Sequence, residues 1–139
     1  MRHRIGGRQF GLPSDQRRAL LKSLVRALLI SHKIKTTEPR AKDVRIIAER
    51  LITQAKRRDD LHGRRLANRV LTSETLVHHL FNVIAPEFKN TNGGYTRITH
   101  LGIRRGDGAK LVVLELATDT VLPAPVAPEK IGTAKSNRI

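Results

Sequence analysis

Apolar residues recur at Leu20, Leu21, Leu24, Val25, Leu28 and Leu29, and at about 100° per residue these positions fill one half of a helical surface. Ser14, a residue type suited to the N-cap, predicts where this helix starts, and Ser31 where it ends. Ile34-Lys35-Thr36-Thr37 reads as a short strand or an extended link. Thr37 then caps a second, longer helix with Pro39 in its first turn, where a missing N–H costs little. Ala41, Val44, Ala48, Leu51 and Ala55 keep three-four spacing along it, Ile47 and Ile52 widen the stripe, and Asp59-Asp60 marks its end.

A helical stretch from Leu61 to Leu71 follows, weakened by Gly63, and a further helix capped by Thr72 or Ser73 carries Leu76, Val77, Leu80, Phe81 and Ile84 until Pro86 stops it. The period then changes to that of strands. Tyr95 to Leu101 and Lys110 to Ala117 are rich in β-branched or aliphatic residues, and the Gly-rich link between them predicts an antiparallel hairpin. About four helices on a small sheet built around that hairpin make an α+β domain over residues 14–118. Residues 1–13 form a basic N-terminal segment, and residues 119–139, with Pro123, Pro125 and Pro128 and no apolar period, form an extended tail.

Charge changes the picture more than composition does. The chain carries a formal +15, and residues 1–58 hold +12 of it, 16 Lys and Arg against 4 Asp and Glu. Charge of one sign at that density repels itself, so a compact chain carrying it implies a polyanionic counter-surface. The longest apolar run, Ala27 to Ile30, is too short to span a bilayer, and no stretch has the Trp/Phe-rich face of an interfacial helix. Nucleic acid is therefore the expected partner, and a membrane is not. The absence of cysteine excludes disulfides and thiolate zinc sites. Charged residues interrupt the first apolar helix too often for a secretory signal.

Three regions are candidates for phosphate contact. They are the N-terminal Arg2, His3, Arg4 and Arg8; the ridge Arg18, Lys22 and Arg26 at intervals of four, continued by Lys33 and Lys35; and the loop residues Arg104 and Arg105. Guanidinium forks can bond two phosphate oxygens at once. Arg40 and Lys42 lie off the apolar stripe of the second helix and join the set. Gly93-Gly94 precede a strand that would present Tyr95 and Arg97 on one face, able to stack a base and bond a phosphate; the alternative has Tyr95 packing on the helices. With only Phe10, Phe81, Phe88 and Tyr95 as aromatics, an extended stacking platform is not expected.

Catalysis is not expected, because the acids are scattered and most lie within a few residues of a Lys or Arg. His78-His79 adjoin on a helix and face about 100° apart, and the other histidines lack partners at ligand spacing, so no metal site, cofactor or small-molecule substrate is read. Gly106-Asp107-Gly108-Ala109-Lys110 has the wrong glycine spacing for a P-loop and reads as a tight turn. No helix-turn-helix spacing supports a sequence-reading DNA protein.

Several separated motifs, in order, resemble one family. They are Met1-Arg2-His3, Ile34-Lys35-Thr36-Thr37, Ala41-Lys42, Leu51-Ile52-Thr53 with Ala55-Lys56, Asp60-Leu61-His62 with Arg64-Arg65, Gly93-Gly94-Tyr95-Thr96-Arg97-Ile98, and Arg104-Arg105-Gly106-Asp107. Together they resemble the bacterial-type large-subunit ribosomal protein seventeen family. The pattern departs from that family at Leu12-Pro13, at Lys110 and in the tail. The resemblance implies a compact α+β fold and a non-enzymatic protein that binds large-subunit ribosomal RNA near the opening of the nascent-chain tunnel. It also implies neighbouring ribosomal proteins as partners and a place in cytoplasmic or bacterial-type organellar ribosomes.

Overall fold

The computed structural model of the protein describes residues 6–58 and 60–118. Arg2, His3, Arg4 and the 119–139 tail lie outside them. Helix α1 (Ser14–Ser31) leads into strand β1 (Lys33–Thr37), and α2 (Glu38–Arg57) follows at once. Helix α3 (Leu61–Leu71) precedes α4 (Glu74–His79), which runs on through a π-helical turn, Leu80–Ile84, and a last α-turn, Ala85–Glu87. Strands β2 (Thr96–Ile103) and β3 (Lys110–Leu116) complete the domain.

The sheet is antiparallel in the order β1-β3-β2, so the hairpin supplies two strands and the α1–α2 link supplies the third. Alternation along β3 sorts its residues. Val112, Leu114 and Leu116 are buried, while Leu111, Val113 and Glu115 take the other face. The buried row belongs to one core cluster with Val25, Leu28 and Leu29 of α1, the Ala41-Val44-Ala48-Leu51-Ile52-Ala55 stripe of α2, and Leu76, Leu80, Phe81, Ile84 and Phe88. All helices thus pack on one side, and among the described residues nothing covers the other.

Local chemistry explains the boundaries. Pro13 rather than Ser14 occupies the N-cap of α1, and Ser14 is its first helical residue, without a side-chain cap. Ser73 caps α4 by accepting from Leu76 N–H, while Thr72 ends α3 in the left-handed conformation at φ 49°. The last helix passes through Pro86 instead of stopping there. Proline's ring would crowd the carbonyl four residues back, and the wider π-turn just before it, closed by Ala85 N–H on Leu80 O, opens the backbone to admit it.

Gly63, which weakens α3 by propensity, is required by packing. The Asp60 carboxylate caps the helix by accepting from Gly63 N–H at 2.6 Å. A Cβ at Gly63 would stand 2.3 Å from Arg58 O, a backbone atom that has no room to yield.

Candidate nucleic-acid interface

The uncovered face of the sheet brings Lys33, Lys35 and Arg97 together. Lys33 and Arg97 both lie opposite Glu115, and Lys35 and Thr99 both lie opposite Val113, so two cross-strand rows stand side by side. Lys33, Lys35, Arg97 and Thr99 are all exposed. Arg97 Nη1 is 4.0 Å from Glu115 Oε1, and an exposed pair at that distance holds the guanidinium weakly. A phosphate could displace it at little cost.

The hairpin extends this surface beyond the core, with Leu101 left over as the bulge between His100 and Gly102, and Ile103 72% exposed. At its tip Arg104 Nε donates to Asp107 Oδ1 at 2.9 Å and Nη2 donates to Oδ2. The Asp107 carboxyl is held well below the usual range, first by the Arg104 hydrogen bond and then by Ala109 N–H, and Arg104 is raised in return. Arg104 therefore shapes the tip. Arg105 beside it is exposed and has no side-chain partner among the described residues.

The α1 ridge divides. Arg18 points outward, 3.9 Å from Asp15. Lys22 Nζ donates to Arg69 O at 2.8 Å, and Arg26 Nη2 donates to Thr72 Oγ1. Both reach the C-terminal end of α3, where carbonyls lack helical partners and the partial charge is negative. These two cations join helices. Arg40 is exposed at the start of α2, and Lys42 pairs with Glu38 at 2.6 Å, holding that carboxyl below its usual range.

Arg8 is bound within the domain. Its backbone N–H donates to Asp43 Oδ2 at 3.1 Å and Nη1 to Oδ1 at 2.6 Å, fastening the N-terminal segment onto α2. Asp43 is 8% exposed and Arg8 47%, so removing the guanidinium strands a buried carboxylate. Arg8→Ala is expected to cost about 1–2 kcal/mol, below the range for a fully buried pair because solvent reaches Arg8. Urea unfolding of the variant checks this, and an unchanged midpoint would refute it.

Tyr95 takes the packing arrangement. It is 4% exposed, stands edge-on to Phe88 at 5.1 Å, and receives Lys56 Nζ at its hydroxyl at 3.2 Å and over its ring at 5.0 Å. Its face is therefore covered from any base. Strand β2 starts one residue later, at Thr96, whose hydroxyl donates to Glu49 at 2.9 Å. Arg97 alone of the expected pair reaches the open face.

The exposed cations Arg57 and Lys89 escape sequence reasoning, because only folding brings the end of α2 beside the loop after α4. Among the described residues no group of three or more His, Cys, Asp or Glu could hold a metal ion. His32 and His79 meet at 3.3 Å between Nε2 atoms, and burial lowers the pKa of both. They join the end of α1 to α4.

Fold and charge thus define a small basic α+β protein, and comparison with known proteins gives its class. Residues 20–117 match the family model described as ribosomal protein L17, a family of structural components of the ribosome and not of enzymes. The large ribosomal subunit protein bL17 of Clostridium botulinum strain Hall is 55% identical over 111 residues, covering 80% of this chain and 97% of the relative. Those of Clostridium beijerinckii and Clostridium acetobutylicum are 54% and 53% identical, again over 80% of this chain and 97% and 96% of theirs. The chain belongs to the ribosomal protein L17 family.

Proposed function

We propose that this chain is a structural constituent of the large ribosomal subunit that binds large-subunit ribosomal RNA through Arg and Lys contacts to phosphate. The observation that carries the reading is the uncovered sheet face, where Lys33, Lys35 and Arg97 stand in adjacent rows without strong partners. Arg105 at the hairpin tip, Arg18 and Arg40 add exposed cations, and Arg2, His3 and Arg4 extend the charge into the N-terminal segment. Lys22 and Arg26 hold α3 in place and support the site indirectly.

Placement near the nascent-chain tunnel exit follows from the family resemblance, as do neighbouring ribosomal proteins as partners and a cytoplasmic or organellar ribosome as location. In this reading residues 1–13 are the RNA-binding segment, residues 14–118 the RNA-binding domain, and residues 119–139 an extended tail. Titration of the protein onto large-subunit ribosomal RNA, with duplex DNA of equal length as competitor, tests it. Tight binding to the RNA that the competitor does not displace supports the reading, and equal affinity for both would sink it.

A further inference from the structure

A second basic site lies away from the sheet face, between the last two turns of α2 and the loop after α4. It is a cleft of about 500 Å³ lined by Thr53 and Arg57 from the helix and by Lys89, Asn92 and Gly93 from the loop. Lys56 builds its floor. Its Nζ donates to Thr91 O and to Tyr95 OH, tying the loop to the helix, with Tyr95 itself anchored on Phe88. This cross-brace leaves Arg57 and Lys89 exposed at the rim, with no side-chain partner among the described residues.

From this arrangement we infer that the cleft is a binding site for a sugar-phosphate unit of the RNA backbone. Among the described residues no carboxylate lines it, so none of the described wall competes for Arg57 or Lys89 or repels an anion. The volume falls in the range of small-ligand pockets and suits a phosphate with its attached ribose, more than a single oxyanion requires. Arg57 supplies a planar fork able to bond two phosphate oxygens, and Lys89 supplies a compact charge on the facing side. Asn92 and Thr53 add neutral donors and acceptors suited to ribose hydroxyls. At Gly93 the backbone takes φ 123°, and a Cβ there would meet nothing within 4 Å, so the chain leaves open space where the ligand would enter. Lys56 and Arg57 also offset the partial negative charge at the end of α2.

The assignment rests on the RNA reading above, and its test separates the two. The full chain is compared with R57A/K89A and with the sheet-face variant K33A/K35A/R97A, each checked for a parental thermal transition. Binding to large-subunit ribosomal RNA is measured over a salt series, and incorporation into subunits is measured in parallel. R57A/K89A is expected to lose about tenfold in affinity and to flatten the slope of log K against log salt by about 0.7 to 0.9, the share of the one phosphate that the two side chains hold. R57K/K89R should recover most of both.

Parental affinity and slope in R57A/K89A, with a loss in the sheet-face variant, would overturn the cleft and leave the RNA reading standing. Normal binding of the naked RNA with poor incorporation would make the cleft a contact for a neighbouring protein and overturn the assignment. A parent protein without salt-dependent RNA binding would overturn both.

Discussion

Affinity for large-subunit ribosomal RNA is expected to fall by roughly 10³ to 10⁵ between about 50 and about 200 mM salt, given about six to ten phosphate contacts. Each phosphate neutralised by Lys or Arg releases condensed counterions, and added salt opposes that release. Exposed cations supply the number needed: Lys33, Lys35, Arg97 and Arg105 around the sheet and hairpin, with Arg18 and Arg40 from the helices. The pairs that must yield are weak, such as Arg97 with Glu115 at 4.0 Å. Filter binding or fluorescence anisotropy over a salt series measures the slope. Affinity that hardly changes over that range would mean the interface is not built on phosphate.

Phe88→Ala should be the most damaging single truncation of the aromatic core, at about 3–5 kcal/mol. Phe88 is 1% exposed and meets Tyr95 edge-on, so its loss removes apolar contact and a T-shaped ring pair together. It also leaves a void beneath the loop that Lys56 fastens to α2, and Thr91 N–H donates to Phe88 O within that loop. Urea unfolding should show a lower midpoint at nearly constant slope. A change under about 1 kcal/mol would show that the ring is not a keystone of this end of the core.

The helices were legible because each buries a stripe at its own period. The α2 positions Ala41, Val44, Ala48, Leu51 and Ala55 are all buried as their spacing requires. The hairpin was legible from β-branched runs about a Gly-rich turn, although the strands run two residues further along β2 than the pattern marked. Strand β1 was only half legible. Ile34 to Thr37 becomes a strand by pairing with β3, far along the chain, and no local signal specifies that partner or the order β1-β3-β2.

The exposed cations of the proposed interface were legible where charge and alternation agree, at Lys33, Lys35 and Arg97. Legibility failed where a cation finds a partner distant in sequence. Arg8 on Asp43, Lys22 on Arg69 O and Arg26 on Thr72 look like surface charge until folding closes those contacts. Tyr95 misleads for a related reason. Extrapolating strand alternation back to it puts it beside Arg97, whereas the strand begins at Thr96 and Tyr95 turns into the core. The cleft at Arg57 and Lys89 is hidden in the same way, since its two walls are separate segments.

Ultraviolet cross-linking of assembled large subunits, followed by mapping of the peptides that carry RNA, tests the central claim most directly. Nucleotides are expected on the peptides holding Lys33 and Lys35, Arg97, and Arg105, whose side chains share the uncovered sheet face and the hairpin that extends it. Cross-links confined to the α3 and α4 side of the domain, with none on those peptides, would contradict it.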